Sequence, residues 1–498
     1  MREFNGPQRW TKRRLAPRIQ RWVSAKLHLA LDQGGHASRA IVFDERGELT
    51  AQAFAPIATR KPAESNVEHD PDEIIESLLT AIADVAPRAL ERGEFMAAGL
   101  ATQRSSIVCW DKRTGTALSP VISWQDRRNA AFVEALAPHA NEVHARTGLV
   151  LSPHYGASKL RWCLDHLPTV ARAATDGRLA FGPLSSFILF RLLDERPFAV
   201  DPANASRTQL FDPVTQDWAP ELLNLFGIEP RHLPRPVSSR HAFGTLLLGG
   251  RRVPLCVATG DQSAVPFAFG PLNPEIAYVN IGTGAFIQRP LAKPIVAPPL
   301  LTSVVWSDAQ RVTYVLEGTV NGAGSALDWF GEIEGIDAHR MLASLDTSAA
   351  NATRPPLLLN GIAGLGSPFW KSDFETRFVG DGSTEQKFIA LLDSILFLIR
   401  VNFDVMQLQV PRPQRILVTG GIAASDFLCQ RLANLTSLPV MRYSEREATA
   451  RGLAFLVANQ PVDFAPGRAP RVFEPEPDVA LLERFLAWLK AMKRAVGT

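Results

Sequence analysis

The feature that most constrains the fold is a strand, a glycine turn and a returning strand, which occurs in each half of the chain. In the first half, residues 27–33 alternate between apolar and polar, Gly34 and Gly35 follow, and residues 38–44 are mostly apolar. In the second half, a strand-like run at 275–280 leads through Gly-Thr-Gly at 282–284 to another at 285–288. Strand hairpins followed by helical stretches, in two halves, predict an α/β protein with two related domains.

The length of 498 residues exceeds what one hydrophobic core usually supports, and this also favours two large domains. Residues 270–274, Gly-Pro-Leu-Asn-Pro, are a cluster that interrupts strands and helices. We therefore predict a first domain at 27–270, a second domain at 271–470 and a C-terminal helical tail at 471–498.

Residues 1–26 form a basic extension in which eight lysine and arginine side chains face a single acid, Glu3. The extension has no periodic apolar face, so we predict that it is disordered. A targeting segment and a contact with an anionic surface are the alternatives for such a composition.

Composition excludes several classes of function. The formal net charge is +3, which implies no strongly charged partner such as nucleic acid. No apolar run reaches 18 residues, and the basic extension lacks the apolar core of a secretory signal. The four cysteines are far apart, and they are expected to be reduced and buried in a cytoplasmic protein: Cys109, Cys163, Cys256 and Cys429.

Three glycine turns at strand ends are candidates for binding phosphate. The first follows Asp32 and contains Gly34 and Gly35, the second is 282–284, and the third is 420–421. Glycine lets backbone amides approach phosphate oxygens, and an acid beside them can hold hydrated Mg²⁺. Each turn alone is more often a simple hairpin or a packing feature. Together they predict a nucleotide clamped between two domains, because phosphoryl transfer depends on positioning and charge neutralisation.

Asp261 is the candidate general base. It follows a strand at 253–257 and a glycine, Gly260, which places its carboxylate at the carboxyl end of the strand. A carboxylate in hydrogen-bond reach of an alcohol can take its proton during attack on phosphorus. A helix cap or turn is the commoner role for an aspartate in such a motif.

Polar and aromatic residues further along predict a pocket for a polyol or sugar. Gln103 and Arg104 end a strand, and Trp124 precedes a polar stretch at 125–128. Arginine can donate paired hydrogen bonds to neighbouring hydroxyls, and tryptophan can cover a carbon chain. A surface arginine and a core tryptophan are the ordinary alternatives.

Several segments, in order and spacing, resemble the FGGY carbohydrate kinases and within them the glycerol kinase branch. The similarity runs from about 27 to 458, and its specific segments are LDQGGHASRAIVFD (31–44), WDKRTGTALSPVISWQDRR (110–128), KLRW (159–162), NASRTQLFDPVTQDW (204–218), GDQSA (260–264), IGTGAF (281–286), LEG (316–318), GLGSPFW (364–370) and TGG (419–421). The resemblance implies an actin-like fold of two ribonuclease-H-like domains that close over ATP, Mg²⁺ and a small polyol or sugar. Members that are dimers or tetramers make a homodimer or homotetramer the expectation by analogy.

The resemblance also implies roles for individual residues. Asp261 matches the catalytic base and, with Asp32, the metal side. The substrate-side positions are Arg104, Ser105, Trp124, His154, Gln262 and Phe286. The nucleotide-side positions are Gly34, Gly35, His36, Arg39, Gly282, Thr283, Gly284, Gly324, Asp328, Gly420, Gly421 and Ser425.

Two departures from the glycerol kinase pattern alter the substrate pocket. Ser105 stands where those kinases have a glutamate after the Gln-Arg pair, and His154 stands where they usually have tyrosine. A polyol hydroxyl left without its acceptor costs roughly 1–3 kcal/mol. We therefore predict a poor fit for glycerol and room for a longer polyol or sugar.

Further departures concern the nucleotide and regulation. His36 replaces a threonine in the first phosphate turn, Ser425 replaces an asparagine, and Asp328 stands where glutamine is frequent. A charged histidine can substitute for the lost hydroxyl contact. The loop 247–253 has no Gly-Lys-Gly-Gly run, so regulation by a sugar bisphosphate is expected to be absent.

Three other functions compete with a polyol kinase of altered specificity. A true glycerol kinase that tolerates Ser105 is the first, and a nucleotide-binding sensor or pseudokinase is the second. His36 motivates the pseudokinase, whereas the retained Asp32, Asp261 and Thr283 argue against it. A chaperone or filament relative on the same fold would leave the pocket residues without a purpose.

Overall fold

The computed structural model describes residues 25–345, 355–444, 447–464 and 469–497. Nearly all of the predicted basic extension, 1–24, lies outside these residues, and its last two positions, Ala25 and Lys26, open the first strand. Within the described part of the chain, no helix is both long enough and apolar enough to cross a membrane.

The strands of the first half are β1 (Ala25–Gln33), β2 (Ala37–Phe43), β3 (Leu49–Pro56), β4 (Arg60–Ala63), β5 (Asn66–His69), β6 (Gly93–Thr102), β7 (Ile107–Asp111), β8 (Val121–Ile122), β9 (Leu179–Pro183), β10 (Ala199–Val200), β11 (Phe211–Asp212), β12 (Asp217–Trp218), β13 (Arg235–Pro236), β14 (Arg240–Leu248) and β15 (Arg251–Gly260). Its helices are α1 (Pro71–Leu90), α2 (Ala130–Ala135), α3 (Ala140–Thr147), α4 (Gly156–His166), α5 (Pro168–Thr175), α6 (Leu184–Leu192), α7 (Pro202–Ala205), α8 (Pro220–Phe226) and α9 (Asp261–Ala264).

The strands of the second half are β16 (Ile276–Ile281), β17 (Ala285–Leu291), β18 (Leu301–Ser307), β19 (Val312–Val320), β20 (Leu357–Leu359), β21 (Arg377–Val379), β22 (Arg415–Thr419), β23 (Val440–Arg442) and β24 (Arg471–Phe473). Its helices are α10 (Gly324–Glu334), α11 (Ala338–Ser344), α12 (Thr384–Met406), α13 (Asp426–Thr436), α14 (Ala448–Val457) and α15 (Val479–Val496).

Both halves contain a sheet with the same central arrangement of strands, and the second sheet has one strand more. The first sheet has the order β14-β15-β6-β1-β2-β3, in which β1 pairs antiparallel with β2 and parallel with β6. The second has the order β18-β19-β17-β16-β22-β23-β24, in which β16 pairs antiparallel with β17 and parallel with β22. Each sheet thus has an antiparallel hairpin beside parallel strands, which is the ribonuclease-H-like arrangement. Its presence in both halves is typical of an actin-like protein. The α/β class with two related halves is confirmed.

The N-terminus of helix α1 is fixed by an aspartate cap and a proline. Asp70 caps it by accepting hydrogen bonds from the amides of Asp72 and Glu73, and Pro71 begins the helix. Asp70 and Glu73 have the spacing of a capping box, but the Glu73 carboxylate accepts from the amide of Ala58 at 2.9 Å. The glutamate therefore ties the helix to the segment that follows β3.

Helix α14 crosses from the second half of the sequence onto the first sheet. Leu453 and Val457 pack against Gly99 of β6, where a Cβ atom would lie 2.5 Å from Val457. Gly452 is pressed against the backbone of Ala264 so closely that a Cβ atom would collide with its carbonyl oxygen. Arg451 donates to the carbonyl oxygens of Gly47 and Ala268. Small residues on α14 thus permit direct backbone contact between the two halves. The division that we predict at 270 stays a prediction.

The tail at 471–498 starts with a strand. β24 pairs antiparallel with β23 and ends the second sheet, and only then does α15 begin. The buried face of α15, which includes Phe485 and Trp488, belongs to the core of the second half.

We predict that Gly452→Ala lowers the stability of the protein by roughly 1–3 kcal/mol, because the added methyl group has no space against Ala264. The thermal midpoint of unfolding measures the effect. Thr449→Ala on the same helix is the matched control, since it removes atoms at a half-buried position. Equal midpoints for Gly452→Ala and the wild type would contradict the close packing of α14.

Candidate active site

A cavity of about 180 Å³ lies between the two sheets and is lined by residues of both halves. Its walls include the predicted base and every residue predicted on the substrate side: Arg104, Ser105, Trp124, His154, Asp261, Gln262 and Phe286. Gly35, His36 and the turn 282–284 line the same cavity. The structure therefore brings residues separated by more than 250 positions in the sequence into one site.

The ends of parallel strands explain why these residues meet. β1, β6 and β15 run parallel, and their carboxyl ends lie side by side, with Asp32 opposite Ala101 and Gly260 opposite Thr102. The residues that follow β6 and β15 are Gln103, Arg104 and Asp261. Sites in open α/β sheets form at such an edge.

Asp261 is the first residue of the short helix α9, directly after β15. Its carboxylate accepts a hydrogen bond of 2.7 Å from the amide of Gln262, and the helix cap position is occupied by Gly260 instead. Burial raises the pKa of Asp261, and the charge of Arg104 opposes that shift. A carboxylate with a raised pKa is a better proton acceptor than an ordinary surface aspartate.

Asp32 is buried at the end of β1 and accepts a hydrogen bond of 3.1 Å from the guanidinium of Arg39. Burial raises the pKa of Asp32 to about 6, the charge of Arg39 opposes the shift, and the negative charge of Asp261 adds to it. The two carboxylates therefore act on each other electrostatically. A cation between them would relieve that repulsion.

The described residues contain no group of three or more histidine, cysteine or carboxylate side chains placed to hold a metal ion. Mg²⁺ needs no such group, because it is usually held by one or two carboxylates together with phosphate oxygens and water. Asp261 and Asp32 are carboxylates of the type that this mode of binding uses, and of the two only Asp261 lines the first cavity.

A buried ion cluster forms the floor of the cavity and was not predicted. Glu317, on β19, accepts hydrogen bonds from Arg104 at 3.0 Å, Arg207 at 3.1 Å and Gln288 at 3.1 Å. Burial acts to raise the pKa of Glu317, but the charges of Arg104 and Arg207 outweigh it and hold the pKa at about 2. Arg207 lies in the segment NASRTQ and Glu317 in the segment LEG. Both segments carry the family resemblance, and that resemblance is the sequence signal that could have pointed to them.

Lys159, like Glu317 and Arg207, has a role in the site that was not predicted from the sequence. It is buried in α4 and donates to the carbonyl oxygens of Ser105 at 3.3 Å, Ser123 at 2.7 Å and His154 at 2.7 Å. Burial lowers the pKa of Lys159 to about 7, against the opposing charge of Asp126. One ammonium group thus fixes three backbone segments of the cavity wall.

A chain of side-chain amides and a hydroxyl connects the first glycine turn to the aromatic wall. Gln103 donates to the side-chain oxygen of Gln33 at 3.2 Å and accepts from the hydroxyl of Ser106 at 2.8 Å. The amide of Trp124 donates to the same hydroxyl at 3.0 Å. The position of Trp124 is therefore coupled to the turn that follows β1.

Aromatic rings complete the walls. The ring of Trp124 meets the ring of His154 edge to face, with centroids 5.7 Å apart. The guanidinium of Arg104 lies 5.5 Å from the centroid of Phe286. Gln262 is held by Asn280, whose side-chain amide donates to it at 2.7 Å. Asn280 also lines the cavity and was not predicted.

A second cavity, of about 660 Å³, adjoins the first at Gly282 and Thr283, which line both. Four further residues predicted on the nucleotide side line it: Gly324, Asp328, Gly421 and Ser425. Ser425 caps α13 by accepting from the amide of Leu428, and Asp328 contacts His339 at 2.8 Å. The two cavities are therefore neighbours on either side of the turn 282–284, one lined by Asp261 and the other by the start of α13.

Three residues predicted on the nucleotide side line neither cavity: Gly34, Arg39 and Gly420. Gly420 has φ of +96° and is packed so tightly that a Cβ atom would collide with the carbonyl oxygen of Ile281. Backbone geometry therefore requires glycine at this position. Arg39 is occupied by its ion pair with Asp32.

Comparisons with known proteins agree with this arrangement. Residues 27–268 match the N-terminal domain, and residues 277–460 the C-terminal domain, of the FGGY family of carbohydrate kinases. A glycerol kinase of Alkalilimnicola ehrlichii is 35% identical over 94% of this chain and 98% of its own length. A glycerol kinase of Rhodospirillum centenum is 35% identical over 94% of this chain and 97% of its own.

Solved structures share the fold. A glycerol kinase of Plasmodium falciparum with ADP superposes with a TM-score of 0.84 at 22% identity, covering 95% of this chain and 98% of that one. A xylulose kinase of Rhodospirillum rubrum gives a TM-score of 0.81 at 20% identity, covering 95% and 99%.

Two actin-like halves with a site between them are the arrangement of kinases that transfer a phosphoryl group in an interdomain cleft. The chain belongs to the FGGY family of carbohydrate kinases. It is accordingly an ATP-dependent kinase that acts on a hydroxyl group of a polyol or sugar.

We predict that Glu317→Gln lowers the free energy of unfolding by roughly 3–5 kcal/mol, because two buried guanidinium groups lose their counter-charge. Thermal or denaturant unfolding measures the loss. Asp84→Asn, which breaks an exposed pair with Arg88, is the control and is expected to change stability by about 1 kcal/mol or less. A Glu317→Gln protein as stable as the control would show that the cluster contributes little.

Proposed function

We propose that Asp261 is the general base for transfer of the γ-phosphoryl group of ATP to a hydroxyl of a substrate bound in the first cavity. The observation that carries this proposal is that Asp261 lines a cavity that shares Gly282 and Thr283 with a second and larger one. The larger cavity has room for the nucleoside, and the shared turn is where the terminal phosphate would meet the substrate.

The residues of the first cavity divide the work of binding. Arg104 and Gln262 donate hydrogen bonds to substrate hydroxyls, while Trp124 and Phe286 cover the carbon chain. Glu317 and Asn280 fix Arg104 and Gln262 before the substrate arrives. A hydroxyl held next to Asp261 gives up its proton to that carboxylate as its oxygen attacks the γ-phosphorus, and the bond from that phosphorus to the bridging oxygen breaks so that ADP leaves.

Asp32 and Asp261 are the residues that would hold Mg²⁺, and the backbone amides of 282–284 would bind the phosphates. The ion supplies neutralisation of the phosphate charge. Arg39 forms an ion pair with Asp32, and we propose that its guanidinium turns to the phosphates when ATP binds. Closure of the two halves would exclude water and limit hydrolysis of ATP.

Glycerol is the alternative substrate, because the most similar relatives reported above are named glycerol kinases. Against it stand Ser105 and His154, which both line the first cavity. The hydroxyl of Ser105 is buried and has no hydrogen-bond partner in the part of the chain that the structure describes, and the backbone there has φ of +64°. We propose that the protein prefers a larger substrate than glycerol. Oligomeric state and a cytoplasmic location stay predictions.

We predict that Asp261→Asn lowers kcat by about 10²- to 10⁴-fold, because the amide cannot accept the proton. Affinity for ATP should change little. Coupled measurement of ADP release gives kcat, and calorimetry gives nucleotide affinity. Asp176→Asn, at an exposed position, is the control. Retention of most of the activity by Asp261→Asn would remove this residue from the role of base.

We also predict that kcat/KM for glycerol is lower than that for polyols and sugars of four to six carbons. The small side chain of Ser105 leaves space, and glycerol lacks the groups to reach across it. A panel of substrates at saturating ATP measures the ratio. Comparable values for glycerol and for the longer compounds would contradict the prediction and favour the alternative.

A further inference from the structure

One corner of the first cavity collects positive charge. We call it the cationic corner and define it by Ser105, His154 and Arg207, all of which line the cavity. Arg104 lines the cavity beside Ser105, and Lys159 donates to the backbone of both Ser105 and His154. The charges here belong to buried or half-buried side chains, so water screens them little.

Two carboxylates act on the guanidinium groups of Arg104 and Arg207, namely Glu317 and Asp261. Glu317 is shared, since it accepts from Arg104 through one oxygen and from Arg207 through the other. Arg127 donates to the carbonyl oxygen of Ala363, and Lys159 donates to three carbonyl oxygens. Neither Arg127 nor Lys159 forms a salt bridge with a described residue. Arg104 and Arg207 thus face two carboxylates, and the excess of positive charge at the corner comes from Arg127 and from the protonated form of Lys159.

The pKa of the His154 ring is affected by these positive charges. Burial lowers its pKa well below the usual value, and the charges of Lys159, Arg207, Arg127 and Arg104 all act in the same direction. No carboxylate is among the leading influences on the ring. His154 is therefore neutral, and one of its ring nitrogens carries a proton that can be donated.

Two polar atoms at the corner have no hydrogen-bond partner among the described residues. They are the Nε atom of Arg207 and the hydroxyl oxygen of Ser105, and both are buried. Both side chains are more than nine-tenths buried, and both residues line the cavity. A guanidinium, a hydroxyl and a neutral imidazole can all donate, whereas a carboxylate only accepts. A ligand with a carboxylate group would therefore find both hydrogen-bond donors and positive charge at this corner.

We propose that the substrate is a polyhydroxy acid, a small polyol that carries a carboxylate at one end. The carboxylate occupies the cationic corner, and the hydroxyl that receives the phosphoryl group lies toward Asp261. This inference rests on the proposed function, because it names the substrate class of the same site. A phosphorylated sugar is a weaker match, since a dianion exceeds the charge that the corner leaves unbalanced.

The test compares acids with neutral polyols of equal carbon number, using the full-length wild-type protein. The pairs are glycerate and glycerol, erythronate and erythritol, and xylonate and xylitol, assayed by ADP release at saturating ATP. We expect kcat/KM to favour the acid by about 10- to 100-fold in at least one pair, from charge-assisted hydrogen bonds to the carboxylate. Equal or higher values for the neutral member of every pair, or for a sugar monophosphate, would overturn the inference.

Ser105→Glu and Ser105→Gln separate charge from size. Ser105→Glu places a carboxylate in the corner and should reduce kcat/KM for the preferred acid at least tenfold more than for its neutral partner. Ser105→Gln adds nearly the same volume without the charge and should keep the preference for the acid. Equal loss of the preference in both variants would show that space, and not charge, selects the substrate. Thermal unfolding checks that each variant is folded.

Binding measured by calorimetry separates this inference from the proposed function. The wild-type protein is titrated with the acid and with the neutral polyol of each pair, with and without ADP. Binding of the acid without turnover would support the cationic corner and contradict the kinase proposal. Turnover of neutral polyols without a preference for acids would do the reverse. Absence of both binding and turnover for all acids would overturn the inference.

Discussion

Glu317 is a buried carboxylate that holds two guanidinium groups across the junction of the molecule. It lies on β19 of the second sheet, whereas Arg104 and Arg207 both come from the first half of the chain. Removing three charges from water is costly, and the cost is recovered only when the groups pair with good geometry. The cluster therefore fixes the halves relative to one another and, in doing so, sets the position of Arg104 in the cavity. The floor of the site and the junction of the domains are the same structure.

The sequence was sufficient for the parts of the site that depend on local pattern. Strand ends followed by glycine or by an acid placed Asp32 and Asp261 at one edge of the first sheet, because its parallel strands bring their carboxyl ends together. The repeated hairpin likewise gave the two related sheets. These features need only the period of a strand and the backbone freedom of glycine.

What the sequence alone did not provide are contacts between distant segments. Glu317 is 110 positions from Arg207, and nothing in either local sequence indicates the partner. Lys159 looks like an ordinary helical lysine until α4 is packed against the segments of Ser105 and His154. Glu73 had the spacing of a capping box, but a tertiary contact with Ala58 was available to its carboxylate. In each case the partner is determined by the assembled fold.

The placement of α14 has a consequence for how the protein is made. The core beneath this helix joins Ala30, Ala101 and Val257 of the first sheet to Leu453 and Val457. During synthesis, the first sheet is complete once β15 has emerged, yet one of its apolar faces stays uncovered until about 200 more residues have followed. A fragment that ends at the predicted boundary would expose that face to water. The first half is thus a domain by topology, but its folding is finished by the end of the chain.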